Sequence, residues 1–205
     1  MHRHLRIAAL VIALMGATTA ARADEISEGL ERARQLYEKG DLGAAVTETN
    51  FALNALFQKR AAIYAALFPP APAGWTLEPE DTSNNGGSAV AAQILGGGVL
   101  VERNYVRDGG EGSIEASVFI DNPMIQAFSS MVNNPAMLGS GARRIRIGND
   151  NAVLQRQPGS EDAELTLVRG NLAIKLSGSG LPNPDILVDL MKRFDIGNLQ
   201  NPPAR

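Results

Sequence analysis

Two periods of apolar residues divide the chain. Ile26, Leu30, Ala33 and Tyr37 recur at helical spacing, and Gly40-Asp41 interrupts them. A second helical series follows through Leu42, Ala45, Val46, Thr49, Ala52, Leu53 and Leu56, then Ile63, Tyr64 and Leu67. Residues 24–68 therefore predict a helical hairpin. "FPPAPAGW" cannot continue a helix, because proline lacks the amide proton and its ring clashes with the preceding turn. A proline-rich linker is expected at 69–73, with a second domain from 74 to 205. Trp75 is expected at the edge of that domain's core.

Beyond the linker the period becomes two. Val99, Val101 and Tyr105 define one strand, and Ile114, Ala116, Val118 and Ile120 line a face of the next, with a glycine turn between them. The segment 89–95 fits a short helix or a strand. Three more strands are expected around Arg144–Ile147, Ala163–Val168 and Leu172–Leu176. Two helices are expected, one after Asn122-Pro123 and one over Pro184–Phe194. Asparagine is a favoured N-cap and proline a favoured first helical residue. The fold class is α+β: an N-terminal helical hairpin, then a mainly antiparallel sheet covered by two helices, both placed most simply on one sheet face. Each half reads strands, Asn-Pro, helix, which fits a duplication or a shared junction chemistry.

"LYEKGDLGAAVTETNFALNAL" resembles one tetratricopeptide motif, through Leu36, Tyr37, Gly40-Asp41 and the small residues Ala45 and Ala52. One copy lacks the concave groove that stacked repeats build, so the resemblance implies a helix-turn-helix and no transferred binding residues. The order of elements after residue 74 is similar to the PsbP-like α/β sandwich. That layout implies binding and accessory roles, and signal, hairpin and sandwich together resemble small exported bacterial proteins of unassigned role.

The N-terminus adds an address. Arg3 and Arg6 precede an apolar run from Ile7 to Met15, and Ala21-Arg22-Ala23 has the small-x-small form of a cleavage site. This is the layout of a secretory signal over residues 1–23, whose uncharged stretch from Ile7 to Ala21 is shorter than a membrane span. A periplasmic location without a retained membrane anchor is expected. Of 19 basic residues, Arg3, Arg6 and Arg22 leave with the signal, and the remaining 16 face 22 acidic residues, a net charge of −6. That balance argues against nucleic acid as a partner. There is no cysteine, and both histidines, His2 and His4, lie in the signal. The usual zinc sites and histidine- or cysteine-based catalysis are therefore unavailable to the mature chain. No metal, cofactor or catalytic residue is expected.

The candidate sites are few. Met124, Ile125, Phe128, Met131 and Val132 form one helical face, which reads as core packing or as the lining of an apolar groove. Met124 and Met131 lie two turns apart, and Met137 follows; no His or Cys completes a copper site. Arg144 and Arg146 share a strand face and could hold an anion, or simply be solvated. A Ser-Lys pair is formally open to Lys39, Lys59, Lys175 or Lys192, and Lys175 alternates outward from Leu172, Ile174 and Leu176, the place of a solvated residue. "ILGGGVL" lacks the residues of a phosphate loop, so a bend is expected there. On the hairpin, Tyr37, Phe51 and Tyr64 are candidates for a partner surface.

The leading functional expectation is a non-enzymatic interaction or accessory module that binds a protein in the cell envelope. The alternative is a carrier of an apolar small molecule or lipid beneath the Met-bearing helix, with ligand contacts from Met124, Phe128 and Met131. A carboxylate or Ser-Lys hydrolase ranks last. N-terminal sequencing of the periplasmic fraction should read Asp24 as the first residue; an intact Met1 in the membrane fraction would refute the signal assignment.

Overall fold

The computed structural model describes residues 18–79, 98–134, 139 and 141–202. The apolar run of the signal, the segment 89–95 and Met137 lie outside the described residues. The described part forms two compact units, dividing between Phe57 and Gln58.

The first unit is the expected hairpin. Helix α1 spans Thr18–Glu38 and α2 spans Leu42–Ala65. Their turn follows from its sequence. Gly40 takes φ +80°, the left-handed conformation that ends helices at glycine, and Asp41 N–H returns to Leu36 O at 3.0 Å. Asp41 then caps α2, its Oδ1 accepting from Ala44 N–H at 3.1 Å. The helices meet through small residues: Gly29, Ala33, Ala45 and Ala52 are buried, and a Cβ at Gly29 would touch Ala52 Cβ at 3.4 Å. Arg32 Nε pairs with Glu48 Oε2 across the hairpin at 3.1 Å.

The second unit is built on one antiparallel sheet of seven strands. These are β1 (Trp75–Leu77), β2 (Val99–Arg107), β3 (Ser113–Ile120), β4 (Ala142–Ile147), β5 (Asp150–Gln155), β6 (Ala163–Arg169) and β7 (Leu172–Ser179). Their order is β1-β2-β3-β7-β6-β5-β4. Two meanders thus meet where β3 pairs with β7, in register from Ser113↔Ser179 to Ile120↔Leu172. The short β1 and the β5 stretch "DNAVLQ" add to the five strands read from periodicity. Both are too short, or too interrupted by polar residues, to show a run of alternation.

Helix α3 spans Met124–Asn133, α4 spans Asp185–Met191 and α5 spans Ile196–Gln200. The Asn-Pro corners behave alike. Asn122 Oδ1 accepts from Met124 N–H, and Asn183 Oδ1 from Asp185 N–H, both at 2.9 Å. The helices they launch go to opposite faces of the sheet, which corrects the expectation of a shared face. Leu187, Leu190 and Met191 of α4 join the main core with Val118, Ile174 and Leu176. Ile125 and Phe128 of α3 pack on Phe119 and Ala173, whose side chains point the other way. Phe119 is the reason: it gives the polar face of β3 one large apolar anchor.

The proline segment is not where the compact units divide. Phe68 and Tyr64 belong to the main core, Phe68 meets Phe194 edge-on at 5.6 Å, and Pro69 and Pro72 are buried. Tyr105, wholly buried, donates its hydroxyl to Pro69 O at 2.9 Å, and burial pushes its pKa up to about 12. Trp75 packs against the edge of this core, as expected. The corner after β3 is pinned separately. Asp121, at φ +51°, accepts from Asn171 Nδ2 at 2.6 Å and from Arg60 Nη2, and these hydrogen bonds lower its pKa. Gly98 is required beside it, since a Cβ there would lie 2.6 Å from Asp121 O.

Candidate functional site

The stripe on α3 is mostly core. Ile125, Phe128 and Val132 are buried, and the Phe128 ring meets Phe119 edge-to-face at 5.0 Å. Met131 is half-buried against the same cluster, while Met124 is 40% exposed. The gap bounded by Met131, Val153, Gln155, Glu164 and Thr166 measures about 10 Å³. That is at most the room of a single water, so no apolar ligand fits beneath Met131.

The two strand arginines, read as solvated or as an anion pair, are placed differently. Arg144 Nη2 donates to Asn133 O at 2.9 Å and to Val132 O at 3.3 Å. It thereby satisfies carbonyls at the C-terminus of α3, the end where the helix dipole favours a cation. Arg146 is exposed on the same face of β4 and does not share this contact. Beside β4 lies an open groove of about 560 Å³, lined by Gly141, Arg143, Leu154, Arg156 and Pro184 among others. Arg156 holds the loop there, donating through Nε to Ser160 O at 2.7 Å and through Nη2 to Leu181 O at 3.1 Å. Arg143 is exposed and stands 4.0 Å from an exposed Asp185.

Sheet register brings together one pair that sequence spacing hides. Ser117 on β3 sits opposite Lys175 on β7, and Glu102 on β2 sits opposite Ser117. Lys175 Nζ is held by Glu164 Oε2 at 2.9 Å, and Ser117 Oγ donates to Glu102 Oε1 at 3.3 Å. The lysine is thus tied to a carboxylate on β6, and the serine proton points to another carboxylate, Glu102, whose pKa is raised by burial and by nearby Glu115. Neither side chain is placed to activate the other. No group of three or more Asp, Glu, His or Cys able to hold a metal occurs among the described residues. Among the described residues, too, no helix is long and apolar enough to cross a membrane.

Among the described residues, the most exposed large apolar side chains are on the hairpin. Tyr37 is 67% and Phe51 65% exposed. Tyr64, at 4%, is core of the second unit and is withdrawn from the partner surface, because α2 continues into that core. Leu30, Leu42, Val46 and Leu56 are also exposed. At 100° per residue, Leu42, Val46 and Leu56 form a stripe beside the Ala45 and Ala52 contact line, and Leu30 and Tyr37 flank Ala33 in the same way. For an antiparallel pair these flanks open on one side, away from the Arg32–Glu48 bridge. Phe51 points to the other side. The helical spacing that predicted α2 contained Leu42, Val46 and Leu56. It did not show that alanines, and not these larger residues, would face α1.

Comparison with protein-family models, curated proteins and solved structures gives no match.

Urea unfolding separates core from groove on α3. Phe128→Ala should destabilise by about 3 kcal/mol, as for a buried aromatic, and Met131→Ala by about 1 kcal/mol, as for a half-buried side chain. Equal and small losses at both positions would contradict the closed interface.

Proposed function

We propose that this chain is a non-enzymatic interaction module of the bacterial cell envelope, exported by its N-terminal signal, and that it docks a protein partner on the apolar side of the helical hairpin. The observation that carries the reading is the inverted hairpin. Its interior is Gly29, Ala33, Ala45 and Ala52, while Leu30, Tyr37, Leu42, Val46 and Leu56 face outward. Together these five side chains present apolar area on the order of 500 Å², the size of the largest patch on a typical monomer, which is often functional. Burying it against a partner would stabilise the complex through the same hydrophobic term that builds a core.

The filled α3–sheet interface supports this reading over a carrier. The one-copy tetratricopeptide likeness fits it as well, since helical hairpins of that kind complete their packing on neighbouring surfaces.

The test is affinity capture on immobilised mature protein from envelope extract. A discrete partner should be retained at near-stoichiometric amount by the wild type and by Thr47→Glu, a change on another face of α2. Tyr37→Glu and Val46→Glu should lose it while keeping wild-type far-ultraviolet circular dichroism. Retention by all variants alike, or recovery of one lipid per chain, would contradict the proposal.

A further inference from the structure

The two edges of the sheet are treated differently. The β1 edge is three residues long, a length that limits pairing with another strand. The β4 edge runs six residues, Ala142–Ile147, contains no proline and, among the described residues, pairs only with β5. The parity of its backbone follows from one hydrogen bond. Arg156 N–H donates to Gly141 O at 3.0 Å, so Gly141 is a hydrogen-bonded partner of Arg156. In an antiparallel ladder such pairs recur every second residue. Arg143 and Ile145 therefore point their amides into β5, and Arg144 and Arg146 point theirs outward.

The edge is also charged with one sign. Arg143 lies on one face of β4, Arg144 and Arg146 on the other, and all three are exposed. A second copy of β4 pairing here would set arginines against arginines, which is unfavourable. An acidic strand would set carboxylates beside them. At the start of β4 the groove of about 560 Å³, lined by Arg143, Leu154 and Glu161 among others, leaves room for a side chain of the incoming segment, and Arg156 there is committed to the Ser160 and Leu181 carbonyls.

We propose that β4 is a docking edge for an acidic, extended segment of another protein, which adds to the sheet as an eighth strand. The Arg144 and Arg146 backbones supply the hydrogen bonds, and Arg146, with Arg143 shared with Asp185, selects for acidic side chains. Arg144 is a positioning residue here, because its guanidinium is committed to α3. The surface uses none of the hairpin residues.

The probe is a capped eight-residue peptide alternating glutamate and valine, added to the mature protein while amide hydrogen exchange is followed by NMR. Exchange at the Arg144 and Arg146 amides should slow at least tenfold at saturation. The Arg143 and Ile145 amides, already in the β5 ladder, should not change. Arg146→Glu should weaken binding about tenfold, and Tyr37→Glu should leave it unaltered, which separates this edge from the hairpin. Three results would overturn the proposal. One is no slowing at millimolar peptide. Another is equal binding of a glutamate-proline peptide, which has the charge but cannot pair as a strand. The third is slowing that rises with protein concentration alone, which would make a second copy the occupant.

Discussion

The pairing of β3 with β7 holds the second unit together. Without it the chain has two separate meanders, β1–β3 and β4–β7, each with an open edge and a half-made core. With it, Ile114, Ala116 and Val118 line up beside Gly178, Leu176 and Ile174 in the middle of the sheet, all buried. Gly178 shows how closely this seam is covered. A Cβ there would lie 2.1 Å from Leu181 Cδ1 and 3.2 Å from Leu187 Cδ2. The missing side chain is the space into which those leucines pack.

The seam has one apolar face and one mixed face, and each takes a different cover. The main face is closed by α4, Phe194 and the tail of α2, with Tyr105 bonded to Pro69 O. The second face is largely polar, and α3 closes only the corner around Phe119 and Ala173. Arg144 and Asn122 hold that helix at its two ends. Once both covers are in place, the space beneath α3 is too small for a ligand. The two binding surfaces proposed above, on the hairpin and on the β4 edge, are both exterior.

Much of this fold is legible in the chain, for reasons that are local. Gly40-Asp41 specifies the hairpin turn, and Asn122-Pro123 and Asn183-Pro184 specify the starts of α3 and α4. Alternation in Ile114–Ile120 marks a strand with one fully apolar face. Long-range partners were less legible. Ser117 meets Lys175 only through the register of distant strands, and Arg144 finds the end of α3 only once β4 lies beside it. Tyr64 reads as a hairpin residue because α2 is apolar nearly all round, so its spacing does not say which end enters which core. The face taken by α3 depends on Phe119, one residue against the alternation of its strand.

The proposed function implies a division of labour: the sheet unit carries the stability, and the hairpin, packed through glycine and alanine, completes its packing on a partner. Native-state hydrogen exchange of the mature protein tests it directly. Amides of β3 and β7 across the seam should exchange only by global unfolding. Amides of α1 from Glu31 to Glu38, and of α2 up to Phe57, should exchange at least a hundredfold faster by local opening. Protection of those helical amides equal to that of the seam would contradict it, since the hairpin would then be complete without a partner.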